Sequence, residues 1–404
     1  MITATPVFGP DEFAAVAAEL GTGIMITVNA GTGTPEAARR PWIQYYKDQG
    51  VTVTYCEVGN KVYLDTTEPV YAVTEAAMSP AEYAAFFNAC AATVRAVDPA
   101  VKVGMVGVYY PGWIDTWLME TLPLITARAD FIAVHNSYAG WPTAYEPDDA
   151  TVFRAILAAP DYIRTNMDAT LWIVRTYASD QNKYMPIAVT EHATVFTPSD
   201  ADIDHQLAEL ARNQTPAAAL GSAGTYAMFI ADPWISIANH INMYSPHWQA
   251  ALLTGGDYHS NPVRTAFYHV FRLYAETAGG RYIPVTDAGV PVFDCTAFGN
   301  IPAITAAKTL VSSAVLAPSG NRVWLYVLNR DLERNIPARV VAGLAGRTLT
   351  GVTAETLNGP DFTSANTPAS PDTVKVTTAA LATAPAFIHT FPAHSLTRIT
   401  FRLE

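Results

Sequence analysis

Over its first two-thirds the chain repeats one pattern, a stretch with helical spacing followed by a short run of β-branched and apolar residues. Helical periods are read at about 10–20, 35–47, 80–97 (capped by Ser79), 114–126, 148–178, 200–213 and 263–277. Strand-like runs are read at 23–28, 51–58, 101–107, 131–135, 187–190 and 225–230. Short strands separated by helices of this length pair through right-handed crossovers, which builds a parallel sheet with helices packed against it. Six such strands fall short of the eight that close a (β/α)8 barrel, so two strand edges stay open.

After Gly279-Gly280 the helical periods stop, and Val, Thr and Ile alternate between Pro, Gly and Asn turns at 306–316, 323–328, 337–341, 374–377 and 395–402. That texture predicts an antiparallel sandwich with polar residues outward. Asn358-Gly359-Pro360 and the stretch from Thr367 to Pro371 read as loops inside it. The expected fold class is α/β: an incomplete TIM-type barrel of about six parallel strands over residues 1–282, then an antiparallel β-sandwich over 283–404.

At 404 residues, half of them hydrophobic and only 15% charged, the chain can bury a large core. A net charge of −12 without a basic run argues against nucleic acid and anionic membranes as partners and suits a neutral substrate. No run of about 18 apolar residues predicts a membrane span. The start Met-Ile-Thr-Ala-Thr-Pro shows no secretory signal pattern, so a cytoplasmic location is expected. Cys56, Cys90 and Cys295, odd in number and widely spaced, read as buried thiols rather than a disulfide framework or metal ligands. His, Asp and Glu are scattered without ligand spacing, which makes metal-dependent hydrolysis a weak reading, and no cofactor is expected.

Barrel chemistry gathers at the carboxyl ends of the strands. Polar groups sit at four predicted ends: Asn29 with Gly31-Thr32-Gly33, Asn60-Lys61, His135-Asn136-Ser137-Tyr138, and Glu191-His192. Asn239-His240-Ile241-Asn242 follows the last run. A histidine at such an end more often orients a neighbour than reacts, and Gly31-Thr32-Gly33 reads as a tight turn. Glu191 differs, because a carboxylate closing an apolar strand is costly unless it is paired or used.

Several segments, in order, resemble the α-L-arabinofuranosidases of glycoside hydrolase family 51. Phe8-Gly9-Pro10-Asp11-Glu12-Phe13 is similar to that family's FG-x-(D/N)-EF helix start. Asn29 to Thr34, Glu36-Ala37-Ala38 and Trp42-Ile43-Gln44-Tyr45 resemble its N-x-GTGT…EA…W-x-x-Y stretch. Tyr55 to Lys61 matches W-E-(I/V)-G-N-E except at its last position. Asp130 to His135 resembles the D-(Y/F)-I-S-x-H strand, and Val189-Thr190-Glu191 stands where the nucleophile does. Leu357-Asn358-Gly359 and Ala393-His394-Ser395 resemble pieces of the C-terminal sandwich.

The resemblance implies a retaining, exo-acting glycosidase on furanosides, α-L-arabinofuranosides first and galactofuranosides or xylosides next, with Glu191 as nucleophile. It implies that Asn60 binds a sugar hydroxyl, that His135 and Tyr138 support the nucleophile and the sugar, and that Asn239 reaches the sugar. His192-Ala193 replaces the family's Trp-Asn, so the subsite floor is rebuilt around His192. Two departures stand out. The resemblance starts at the family's second barrel helix, so its first two strands and R-x-PGG loop have no counterpart. The open edges then lead to an expectation of a homo-oligomer, which sedimentation at dilution tests. The second departure is Lys61, which occupies the position of the acid/base glutamate.

Retaining hydrolysis needs two carboxyls about 5–5.5 Å apart, one attacking and one shuttling a proton. An ammonium can donate to a leaving oxygen but must be neutral to take a proton from water. Loss of general acid–base help slows such reactions by about 10²–10⁴-fold. Low or atypical activity is therefore expected, and the competing expectation is an inactive carbohydrate-binding or scaffold protein. Glu57, Asp65 and Glu68 are the nearby carboxylates that could serve as the acid, with Glu57 expected to be a hydrogen-bonded core residue and the other two solvated.

Overall fold

The computed structural model describes residues 8–30, 33–35, 39–64, 77–110, 114, 116–196, 202–244, 249–253 and 262–404. Gly31, Thr32, Glu36 to Ala38, Asp65 and Glu68 lie outside them. The chain divides into two compact units, Met1–Asn136 with Asn166–Thr190, and Ser137–Thr165 with Glu191–Glu404.

In the first unit, α1 (Pro10–Leu20) begins with proline at N1 and with the Glu12 carboxylate accepting from the Gly9 amide at 2.8 Å. The strands β1 (Ile24–Val28), β2 (Val53–Val58), β3 (Lys102–Val106) and β4 (Phe131–Val134) follow, with α2 (Pro80–Val97) between β2 and β3. Ser79 caps α2 through the Glu82 amide, and Glu82 returns a bond to the Ser79 amide, as the Ser-x-x-Glu spacing requires. The strands pair in parallel: Ile26 lies opposite Cys56, Cys56 opposite Val103, and Met105 opposite Ile132. The buried Tyr83 hydroxyl donates to the Val58 carbonyl at 2.8 Å and accepts from the Val106 amide at 2.6 Å, tying the carboxyl ends of β2 and β3 to α2.

The long helix α3 (Asp149–Tyr177) and the strand β5 (Ile187–His192) each run through both units. β5 pairs in parallel with β4, Ala133 opposite Ala188, and its last two residues, Glu191 and His192, belong to the second unit. The second unit also holds α4 (Ile203–Arg212), α5 (Pro216–Ala231), β6 (Ile235–His240) and α6 (Ala266–Ala275). Strand order in the parallel sheet is β1-β2-β3-β4-β5-β6, six strands as the pattern predicts. Among the described residues no helix is long and apolar enough to cross a membrane.

One strand sits elsewhere than expected. Residues 225–230 lie inside α5, and the sixth strand is β6. Thr215 caps α5 by accepting from the Ala218 amide, Pro216 fills N1, and small residues are buried on every side of the helix. A helix buried all round shows no 3.6-residue apolar period, so its Thr-Tyr-Ala-Met-Phe-Ile stretch imitates a strand. The predicted 35–47 and 114–126 helices are also shorter and less regular, a π-helical turn at Arg39–Gln44 with Tyr45–Asp48, and Trp117–Thr121 with a 3₁₀ turn.

The remainder of the second unit is antiparallel. Strands β7 (Arg281–Ile283), β8 (Leu310–Leu316), β9 (Arg322–Asn329), β10 (Ile336–Val341), β11 (Leu349–Asn358), β12 (Lys375–Leu381), β13 (Ala386–Phe391) and β14 (Ser395–Leu403) form a six-stranded sheet, β7-β8-β9-β14-β11-β12, and a two-stranded sheet, β10-β13. Leu310, Val327, Val340, Val352, Phe391, Ile399 and Phe401 fill a common core. Within this unit α6 docks on the sandwich: the Tyr326 hydroxyl donates to the Leu273 carbonyl at 2.6 Å, and Tyr274 stacks on Tyr326 at 4.2 Å.

Candidate functional site

The candidate residues of the first unit centre on a buried carboxylate. Glu57, 3% exposed near the end of β2, accepts from the Thr27 hydroxyl at 3.3 Å and from the Thr190 hydroxyl at 3.2 Å. The Thr190 oxygen lies 2.9 Å from Nε2 of His135, which is itself 4.0 Å from Glu57. A threonine hydroxyl has one proton. Since Thr190 gives its proton to Glu57, it accepts from His135, which places a proton on Nε2 of that ring. Glu57 is thus the hydrogen-bonded core residue expected of it, and His135 orients neighbours from a buried position. Two residues further along, the chain turns at Gly59, whose amide donates to the Val28 carbonyl at 2.8 Å. Asn60 is exposed and Lys61 half-buried. Lys61 holds a φ of +51°, in the left-handed region that side chains seldom adopt, and its carbonyl accepts from the Leu64 amide at 2.9 Å.

The second unit holds the other group. Glu191 is half-buried, and the buried Tyr138 hydroxyl donates to its Oε2 at 2.7 Å. Of the predicted site residues, these two are brought into direct contact. The Ser137 hydroxyl donates to the Glu191 carbonyl at 3.4 Å. Asn239, on β6, is exposed.

His192, 1% exposed, lies edge-on against Tyr226, Phe229 and His240, with ring centroids 5.2, 5.6 and 5.2 Å away. Its imidazole is packed among aromatic rings rather than presented to solvent. Burial, with His240 adding, holds its pKa well below the usual histidine range. His240 is half-buried as a residue, but its ring nitrogens are shielded, and Nε2 lies 2.6 Å from the Gln249 carbonyl. Burial lowers its pKa from 6.5 to about 4.

A depressed histidine contributes stability that is present above its unfolded value and lost as pH falls through its folded one. Glu209, raised to about 7 by burial against the opposing pull of Arg212, titrates with the other sign and masks the effect in the intact protein. The difference between proteins isolates it. His240→Asn should gain about 2 kcal/mol on the wild type between pH 7 and pH 5. Urea unfolding at both pH values measures this, and parallel curves would show an ordinary, accessible imidazole.

Three contributors escaped sequence reading. Thr190 and Thr27 looked like ordinary strand residues; Thr27 stands opposite Glu57 on the neighbouring strand, and Thr190 reaches it from a strand with two others between. Asn300 donates to the Tyr138 carbonyl at 2.8 Å and accepts from the Gly140 amide at 3.1 Å. Nothing beside Asn300 in the chain points to its target, which lies 160 residues away. Within the sandwich a cleft of about 510 Å³ is lined by aliphatic side chains, with Asp287 and Arg339 its charged residues, so it offers no carboxylate pair. Among the described residues no group of three or more His, Cys, Asp or Glu could hold a metal ion.

Residues 234–395 match the family model described as the alpha-L-arabinofuranosidase C-terminal domain. No curated protein matches the chain in sequence. Among solved structures, the alpha-L-arabinofuranosidase from Thermotoga maritima in its arabinose complex superposes with a TM-score of 0.80 at 21% identity, covering 98% of this chain and 79% of that one. The family 51 enzyme from Thermotoga petrophila gives 0.78 at 20%, covering 97% and 78%. A Paenibacillus polymyxa xyloglucanase of family 44 gives 0.61 at 13%, covering 97% and 83%. The chain therefore resembles the family 51 α-L-arabinofuranosidases in fold along nearly its whole length, with an incomplete parallel barrel followed by a C-terminal β-sandwich.

Proposed function

We propose that the protein is a retaining glycoside hydrolase acting on furanosides, α-L-arabinofuranosides foremost, with Glu191 as nucleophile. The observation that carries this reading is the 2.7 Å bond from Tyr138 to the Glu191 carboxylate at the end of an apolar strand. That hydrogen bond holds one carboxylate oxygen in a fixed place at the carboxyl end of the strand, the orientation a nucleophile needs. The likeness to arabinofuranosidase structures supports the sugar class. In the first step a Glu191 oxygen bonds to the anomeric carbon while the bond to the leaving oxygen breaks. Water then attacks that carbon as its bond to Glu191 breaks, which releases the sugar and restores the carboxylate; the proton that the water sheds to solvent balances the one the departed oxygen takes up.

Asn60 and Asn239 are proposed to bind sugar hydroxyls from their exposed positions, with His135 and His192 supporting from buried ones. Lys61 takes the acid/base position by resemblance, and this favours a second reading, an inactive carbohydrate-binding protein.

A 2-deoxy-2-fluoro-arabinofuranosyl probe with a dinitrophenolate leaving group separates the two, since that leaving group needs no proton. The expected result is a stable sugar ester, seen by intact mass and mapped by peptide mass to Glu191. An unlabelled protein whose melting temperature rises with arabinose would establish the second reading instead.

A further inference from the structure

Beside Tyr138 stands an aromatic ring that the chemistry above does not use. Trp141 is 49% exposed and stacks on Tyr138 with centroids 5.5 Å apart and planes 28° apart. Its φ is +49°, a conformation in which a tryptophan is strained. The surrounding backbone enforces it. Ala139–Gly140 pairs in parallel with Thr194–Val195, and the Trp141 amide donates to the Val195 carbonyl at 3.1 Å. The Asn300 amide donates to the Gly140 carbonyl at 2.8 Å, and the Asn300 side chain bonds Gly140 and Tyr138 as described above. At Gly140, φ +113°, a Cβ would sit 1.9 Å from the Val195 carbonyl oxygen, and at Gly299, φ +58°, one would sit 1.5 Å from the Gly140 oxygen. Three backbone segments are thus pressed together without side chains between them, and the result is a strained, outward-facing indole. Strain held this firmly at an exposed position is characteristic of ligand contact rather than folding.

The order of groups runs from the Glu191 carboxylate to the buried Tyr138 ring and on to the exposed Trp141 ring. The ring touching the carboxylate adjoins the sugar under attack, so the next ring outward meets whatever that sugar is attached to. We propose that Trp141 is a binding platform for a neighbouring sugar ring of an oligosaccharide substrate, packing the CH face of that ring on its indole. This rests on the glycosidase reading and extends it to substrate length.

The test is calorimetric titration of the full chain with arabinose and with a linear arabinotriose. The wild type should bind the triose about tenfold more tightly than the monosaccharide, the range of one aromatic stacking contact. Trp141→Gly should bring the two affinities within about twofold, with arabinose binding unchanged. It should melt no lower than the wild type, because glycine accepts the local φ. Trp141→Phe should retain most of the margin. Wild-type affinity for the triose in Trp141→Gly would overturn the platform and leave the glycosidase reading standing. Failure of the wild type to bind either sugar would overturn both.

Discussion

Lys61→Glu is expected to raise turnover on arabinofuranosides with poor leaving groups, such as methyl arabinofuranoside, by about 10²–10⁴-fold. Expelling an alkoxide requires a proton in the transition state, and a carboxylic acid supplies it. The same group, once ionised, takes a proton from the water that attacks the sugar ester. A nitrophenolate needs little protonation, so kcat/KM, which reports the first step, should rise far less on nitrophenyl substrates. The ratio between the two substrate types is therefore the diagnostic quantity. The substitution asks nothing new of the backbone: residue 61 is already at φ +51° without being glycine, and its carbonyl bond to the Leu64 amide does not involve the side chain. The variant should also acquire a descending alkaline limb as the new acid ionises. Equal rates for wild type and variant on both substrates would remove Lys61 from the acid/base position.

The sheet was legible because its strands obey local rules. β2 to β5 each combine a β-branched or aromatic apolar run with a turn signal, and helices of the required length stand between them. α5 was not, because burial on all sides erases the periodicity that reading depends on. In the sandwich, β11 and β13 were missed for a related reason. β11 reads Leu-Thr-Gly-Val-Thr-Ala-Glu-Thr-Leu-Asn, with glycine and small residues, and β13 carries Ile388, 75% exposed, on its outer face. Their strand character comes from pairing with distant partners, Thr353 opposite Thr400 and Ala338 opposite His389.

At the candidate site the division is similar. Glu191 and Tyr138 could be chosen from sequence because each follows an apolar strand. Their contact at 2.7 Å could not, because Tyr138 sits three residues past His135 and its direction is set by the Asn300 clamp. Nor did the sequence tell that His192, one residue beyond Glu191, would be buried among Tyr226, Phe229 and His240. Neighbouring residues of a strand point to opposite faces, so a half-buried carboxylate and a packed imidazole can be adjacent in the chain yet live in different surroundings.

The stability of the unit that carries Glu191 should hinge on a buried guanidinium. Arg330 follows β9 and is 2% exposed. Its Nε donates to the Lys308 carbonyl at 2.7 Å, its Nη1 to the Leu157 carbonyl at 2.9 Å, and both terminal nitrogens approach Asp161 at 3.4–3.5 Å. The Phe293 ring lies 5.7 Å from its centre. Leu157 and Asp161 flank Pro160, which lies inside the unbroken α3 and has no amide to offer the Ile156 carbonyl. Arg330 donates to the carbonyl of the next residue, Leu157, and to that of Lys308, which ties this turn of α3 to the sandwich within the same unit. Burial lowers the Arg330 pKa while Asp161 pulls it back, so the group stays charged at neutral pH. Arg330→Ala removes the cation, strands two carbonyls in a dry interior and opens a cavity. Breaking a buried pair from one side typically costs about 3–5 kcal/mol, and that loss is expected here. Arg330→Met leaves the same two carbonyls without their donor but refills most of the space, so it should lose less than Arg330→Ala by the cost of the cavity. Urea unfolding of the three proteins at pH 7 gives the comparison. If Arg330→Ala falls within about 1 kcal/mol of the wild type, solvent reaches the guanidinium and the unit does not depend on it.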